Sequence, residues 1–322
     1  MKNIESEIIA PKKQLNLFGY DEIFNSFINL YKKNEMPKVI LLNGQEGLGK
    51  ATFAYHFFNY LLSSNEKYKY DIENNKIDPN NSSYKLINNG IHPNFFLLDS
   101  ISSDDNIKID QVRELLKFLS KTSYSRDLKL IILDNANNLN LNSSNALLKI
   151  LEEPPQDTFI FIVHNGTEKI LDTIKSRSIE FKISFNNSKK KEIFESITKI
   201  TDLDIDPADA EKFINYISPG SALKYLMTLK NLDLDIQEDK FSCLLNLIEK
   251  YKASKDQELF NITSFFIELF YNEVSLNNNT NIHNYHINKN KILNQINDMR
   301  KFNLDKKNIL ISVNNILRNE KR

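Results

Sequence analysis

One cysteine, Cys243, stands in a chain of 322 residues, so an internal disulfide framework and a cysteine-rich zinc site are both excluded. It falls in an apolar helical pattern, and such sparing use of cysteine suits a reducing compartment. Charge of one sign is lacking too: 42 Lys and Arg balance 42 Asp and Glu. Without a broadly basic surface, the chain is not expected to hold nucleic acid unaided through counterion release, and any DNA contact should be local or shared with partners. No stretch approaches the roughly 18 apolar residues of a membrane span. The opening "MKNIESEIIAPKKQ" has no continuous apolar segment of the kind a signal peptide needs. A soluble, cytoplasmic protein with no membrane partner is the expectation, and Asn-x-Ser/Thr triplets such as those at Asn81 and Asn261 then carry no meaning as glycosylation sites.

What the chain does have is an alternation of short apolar runs with helical patterns from Lys38 to Phe181. "KVILLNG" predicts a buried strand, and "NFFLLD", "LKLIILD" and "TFIFIVH" further strands, with "SIEFKI" closing the alternation. Between them, "KATFAYHFFNYLL", "IDQVRELLKFLS", "NSSNALLKILEE" and "KILDTIKSR" predict helices. The second should bury Val112, Leu115, Leu116 and Leu119 on one face, and Pro154 and Pro155 stop the third. Strands alternating with helices predict an α/β domain built on a parallel sheet covered on both faces. Residues 63–90 are polar with little periodicity and predict an exposed insertion, in part disordered.

After about Asn186 the strands stop. "DPADAEKFINYI", with Asp206 as N-cap and Pro207 at the first helical position, and the helix after "SPGS" predict a small helical domain. From about Gln237 the segments "FSCLLNLIEKY", "LFNITSFFIELFYNEV", "KILNQINDMRKFNL" and "KNILISVNNILRN" predict a terminal bundle, interrupted by a polar loop "LNNNTNIHNYHINKN". The expected boundaries are 1–185, 186–234 and 235–322. His283 and His286 lie in that loop at i, i+3, too few ligands for a metal site, and none is expected. "NSKKKE" from Asn187 predicts a solvated helix start, His92 before Pro93 a turn, and "SFFIELFY" core or oligomer contact.

The stretch "GQEGLGKAT", Gly44 to Thr52, follows a predicted strand and opens a helix, the context in which Gly44, Gly47, Gly49 and Lys50 would cradle phosphate. A Gly-rich strand-to-helix turn with no ligand has the same outline. The pattern needs Ser or Thr directly after the lysine to hold magnesium, and that place is Ala51; Thr52 is one residue late, turned by about 100° on a helix. "LKLIILDNA" ends in Asp134, placed to orient magnesium, but Asn135 follows where a water-polarising glutamate is needed.

Taken in order and spacing, "GQEGLGKAT", "HPNFFLLD", "IDQVRELLKFLS", "LIILDNANNLNLNSSNALLKILEEPPQDTFIFIVHN" and "TIKSRS" resemble the clamp-loader branch of the AAA+ family, and within it the delta prime subunits of bacterial DNA polymerase III. The resemblance is firm over about Leu17 to Lys182 and architectural beyond it. It implies an AAA+ phosphate-loop domain, a helical lid and an all-α collar. It also implies a ring with delta and gamma/tau subunits, acting through that complex on a sliding clamp and primer-template DNA in replication.

Further implications are residue by residue. Ser176, Arg177 and Ser178 match a motif whose arginine reaches a neighbour's nucleotide; alone, Arg177 reads equally as a surface residue capping a helix C-terminus. The lid's sensor arginine falls on Gly220, and the polar sensor at the strand end on His164 and Asn165. No zinc module is expected, since residues 63–90 replace its four cysteines. No cofactor is required by this reading, although ATP or ADP at a vestigial site stays open. The alternative is an active gamma/tau-type ATPase in which Thr52 and another acid supply the missing groups.

Overall fold

The computed structural model of the protein describes residues 9–100, 106–120, 128–166, 170–201, 207–234, 240–254, 256–277, 282–302, 311–313 and 315–316. Five strands, β1 Val39–Gly44, β2 Phe95–Leu98, β3 Lys129–Leu133, β4 Thr158–Asn165 and β5 Ile179–Lys182, form one parallel sheet in the order β2-β3-β4-β1-β5. The helices among them are α1 Asp21–Lys32, α2 Lys50–Leu62, α3 Ser82–Asn88, α4 Ile109–Ser120, α5 Leu141–Glu152 and α6 Asp172–Lys175.

The continuous apolar runs follow from burial of both faces. Ile40, Leu42, Leu130, Ile132, Phe161 and Val163 join the core under α1, α2 and α3. Their alternates Val39, Leu41, Ile131, Leu133, Ile160 and Ile162 join the core under α4, α5 and α6. The first core is aromatic, with Phe161 stacked against Phe57 at 5.8 Å and tilted against Phe58 at 4.6 Å between ring centroids. From β1 the chain runs to the far edge at β2, returns through β3 and β4, then passes β1 to reach β5. Such a reversal leaves a crevice at the carboxyl ends of the strands, where Gly44, Leu133 and Asn165 end β1, β3 and β4.

Three helices follow, α7 Asn187–Thr201, α8 Pro207–Ile214 and α9 Pro219–Asn231, and then α10 Lys240–Ser254, α11 Gln257–Asn277 and α12 Ile282–Phe302. The chain divides into two compact units, Met1–Leu226 and Met227–Arg322. In the second unit Leu244, Leu247, Ile262 and Ile267 are fully buried, with Cys243 beside them. Among the described residues no helix is long and apolar enough to cross a membrane.

Several expectations need correction. Residues 63–90 are exposed over much of their length, as expected, but they are ordered and tied to the protein: Tyr70, Ile77 and Ile87 reach the aromatic core. The polar side chains that suggested exposure hold the segment from within. Asn81 is 0% exposed, caps α3 by accepting from the Tyr84 N–H, donates to the Tyr68 carbonyl and accepts from Asn59 Nδ2. The Glu66 carboxylate accepts from the N–H groups of Ser82 and Ser83. Leu116 is 40% exposed; α4 buries Val112 and Leu115 and leaves Leu116 on its flank. Residues 282–290 of the expected polar loop are helical, so His283 and His286 lie on α12. His92 shapes its turn as expected, accepting at Nδ1 from the Asn94 N–H. Asp206 and most of "KNILISVNNILRN" lie outside the described residues.

Candidate functional site

Gly44 ends β1, Gly49 is the residue before α2, and Lys50 opens that helix. Lys50 is 4% exposed. Its ammonium donates to the Gly44 carbonyl at 2.8 Å, the Gln45 carbonyl at 2.7 Å and Asn165 Oδ1 at 3.4 Å. An ammonium has three hydrogens, and all three have acceptors inside the crevice. Burial lowers the Lys50 pKa from 10.5 to about 8, although the charges of Asp134 and Glu46 favour the protonated form.

Asp134 lies just past β3. Desolvation, with the Asp99 carboxylate as second cause, raises its pKa from 3.8 to about 6; the Asn135 N–H and Lys50 oppose the rise. Asn135 adopts φ +50° and donates through Nδ2 to Asp99 Oδ1 at 3.0 Å. A carboxylate at position 135 would face Asp99 across that distance, so the amide is the side chain that suits this pair. Ala51 belongs to the aromatic core, and that position has gone over to packing; Thr52 follows it, partly exposed.

The loop is closed from outside as well. The Gly220 N–H at the start of α9 donates to the Gly47 carbonyl at 3.0 Å, and Ser221 Oγ donates to the Glu46 carbonyl at 3.3 Å. A Cβ on Gly47, whose φ is +75°, would lie 2.3 Å from Ser218 Oγ and 2.6 Å from the Ser221 nitrogen. In this arrangement the Lys50 donors are turned to acceptors of the chain itself, and the start of α9 is seated on the loop's carbonyls.

Arg177 is elsewhere. It follows α6 and precedes β5, at the opposite ends of the strands. Its Nε donates to Glu152 Oε1 at 2.8 Å, its Nη2 to the same oxygen, and its Nη1 to the Thr173 carbonyl at 3.0 Å and Ser176 Oγ at 3.3 Å. The capping of a short helix is therefore present in the structure. Ser178 Oγ donates to the Ile174 carbonyl. A surface groove beside Arg177 is lined by Pro37, Lys38, Glu152 and Pro154 among others.

The structure thus gathers Gly44, Gly47, Gly49, Lys50, Asp134, Asn135 and Asn165 at the carboxyl ends of the strands, and leaves Ser176, Arg177 and Ser178 at the amino end of β5. Sequence reasoning missed Asp99, Glu152, Ser218 and Ser221. Asp99 ends "NFFLLD" as Asp134 ends "LKLIILD", a parallel that was there to be seen.

The Asp134 shift predicts a pH effect. Between about pH 3.8 and 6 the native state binds the extra proton, so this group's contribution to stability falls as pH rises and stays low above about 6. Asp134→Asn should stabilise the chain at pH 7.5 by up to about 3 kcal/mol, less what Lys50 loses, with little gain near pH 4. Urea unfolding at the two pH values checks this; a gain that shrinks with rising pH contradicts it.

A family model described as "DNA polymerase III, delta subunit" matches residues 19–187, more than half of the chain. The delta' subunit of DNA polymerase III from Pseudomonas aeruginosa is 34% identical over 140 residues, 44% of this chain and 41% of that protein. The delta' subunit from Buchnera aphidicola subsp. Schizaphis graminum is 26% identical over 205 residues, 59% of each. A gamma subunit of DNA polymerase III from the same Buchnera is 26% identical over 265 residues, 80% of this chain and 68% of that protein. The chain thus spans 41% and 59% of the length of the two delta' relatives. With a parallel α/β sheet, a lysine-bearing loop after β1 and more than half of its length matched by one model, the chain belongs to the DNA polymerase III delta subunit family.

Proposed function

We propose that this chain is a delta prime-type subunit of a clamp loader. It is an AAA+ protein with a helical lid and a C-terminal collar, hydrolyses no ATP itself, and lends Arg177 to the nucleotide site of a neighbouring subunit. Its partners are delta and gamma/tau subunits, and through them the sliding clamp and primer-template DNA in the cytoplasm. It requires no metal or cofactor of its own.

One observation carries the reading: Arg177 and the loop lie at opposite ends of adjacent strands. Ile40 pairs with Ile179, Gly44 is four residues further along β1, and Arg177 lies two residues before Ile179. Six residue spacings at about 3.3 Å separate them by about 20 Å. No arginine rotamer spans that distance, so Arg177 can serve a nucleotide only across a subunit boundary. Its planar, permanently charged guanidinium suits phosphate oxygens, and Glu152 and Thr173 hold it in place until a phosphate competes.

Loss of hydrolysis is supported by three departures with separate physical causes. Ala51 is packed in the core, Asn135 is bonded to Asp99, and Gly220 lies against Gly47 with no room for a side chain. The gamma relative covers more of this chain than either delta' relative does, and it is the reason to weigh the gamma/tau alternative. That alternative needs hydrolytic groups in three places where this chain has other uses for the position. The isolated chain is expected to turn over ATP no faster than buffer does. Turnover near the roughly 1 per second usual for enzymes would reject the proposal in favour of the gamma/tau reading.

A further inference from the structure

We propose that the phosphate loop is the socket of an intramolecular joint whose ligand is the N-terminal turn of α9, seated without nucleotide. This deepens the reading of a non-hydrolysing subunit and rests on it. Two glycines make the joint possible, since a side chain on either would strike the other segment. A Cβ on Gly220 would lie 2.6 Å from the Gly47 carbonyl oxygen and 3.1 Å from the Gly47 Cα. A Cβ on Gly47 would strike Ser218 Oγ and the nitrogen and hydroxyl of Ser221. Gly220 therefore meets the backbone of the loop directly, and Gly47 meets the Ser221 nitrogen and the two serine hydroxyls.

Hydrogen bonds complete the contact in one sense, from α9 to the loop. The Gly220 N–H and Ser221 Oγ donate to the carbonyls of Gly47 and Glu46. Free N–H groups at a helix start carry the positive end of its dipole, so carbonyl oxygens are suitable partners. Ser218, 0% exposed, braces the turn: its Oγ accepts from the Ser221 N–H at 3.3 Å and donates to Ser221 Oγ at 3.0 Å. On the inner side, Lys50 donates to the loop's own carbonyls and Tyr20 donates through its hydroxyl to the Leu48 carbonyl at 3.1 Å. The loop is thus held from both sides by groups of this chain. Every group in this contact belongs to the chain, so the contact needs no nucleotide to form.

The joint has a counterintuitive consequence. Alanine is a better helix former than glycine, so Gly220→Ala in the first turn of α9 should be neutral or stabilising if the position were free. Inside the joint its Cβ forces α9 off the loop. Hydrogen exchange on the full chain, with and without Mg-ATP, reads this directly. In the wild type, residues 218–222 should exchange slowly and identically in both conditions. Gly220→Ala should speed their exchange by about tenfold or more while the strands keep their protection. Ser221→Ala, which removes the bond to Glu46 and the Ser218–Ser221 hydroxyl bond but adds no atom against the loop, should change it in the same direction by a smaller factor.

Equal exchange in the wild type and both variants would overturn the joint, as would Mg-ATP loosening or further slowing 218–222 in the wild type. ATP turnover by the wild-type chain is a separate assay: it would defeat the non-hydrolysing reading even with the exchange pattern intact. A flat exchange result defeats the joint even where no turnover is seen.

Discussion

Arg177→Ala in an assembled complex is expected to abolish productive hydrolysis at one nucleotide site and leave the other sites working. Arginine fingers contribute roughly 10³ to 10⁵ in rate where they have been isolated. A site that loses such a factor falls silent on the time scale of its neighbours, so total clamp- and DNA-stimulated ATPase should drop partially. Clamp loading, which needs the sites in concert, should drop more. The variant should assemble normally: the Arg177–Glu152 pair is a surface ion pair, with side chains 29% and 48% exposed, and such pairs contribute about 0 to 1 kcal/mol. Lysine is a poor replacement, since a point charge cannot reproduce the guanidinium fork. Full ATPase and full loading by an intact complex carrying Arg177→Ala would reduce this subunit to a scaffold.

Removal of residues 237–322 is expected to abolish assembly while the α/β part still folds. Both cores of the sheet are built from residues between Leu17 and Ile183, so neither loses a member with α10, α11 and α12. The second unit has its own core, in which Leu244, Leu247, Ile262 and Ile267 are fully buried. The truncated chain should keep a cooperative thermal transition and lose protection only near the end of α9, where Met227, Leu229 and Leu232 are buried. Stable subunit interfaces bury on the order of 1,200 Å² or more, and the long apolar helices are the part of this chain best suited to provide that. Co-elution of the truncated chain with its partners would overturn the assignment of these helices to a collar.

The sheet was legible because its central strands are buried on both faces. β1, β3 and β4 are short apolar runs, "VILLNG" and "KLIIL" among them, and a run of that kind between helical patterns has few other readings; the edge strand β5, "IEFK", is exposed or half-buried throughout. Helix α2 was legible from its first residue, since Lys50 is fixed by the loop motif. Helix α1 was passed over, although Phe24, Phe27 and Ile28 in "DEIFNSFINLYK" have helical spacing and are buried. Residues 63–90 were misread because their order comes from bonds between distant residues, such as Asn59 with Asn81 and the Leu17 N–H with the Asn75 carbonyl. Composition in a window cannot register a partner outside it.

The same limit divides the site. Lys50, Asp134 and Asn135 were found because a local motif names them. The seating of Ser218, Gly220 and Ser221 on Gly47 joins segments more than 170 residues apart, and in the sequence Gly220 appeared only as a place where the resemblance led one to expect an arginine. The structure gives that glycine a positive reason: any side chain there would strike the loop.

The central claim is that this chain acts on nucleotide in trans through Arg177 and not in cis through its own loop. The most direct measurement compares ATP turnover by the complete complex containing the wild-type chain, Lys50→Ala or Arg177→Ala, each at equal assembly. The account predicts turnover unchanged by Lys50→Ala, because that lysine's three donors already serve Gly44, Gln45 and Asn165, and clearly lowered by Arg177→Ala. Turnover lowered by Lys50→Ala and untouched by Arg177→Ala would contradict it.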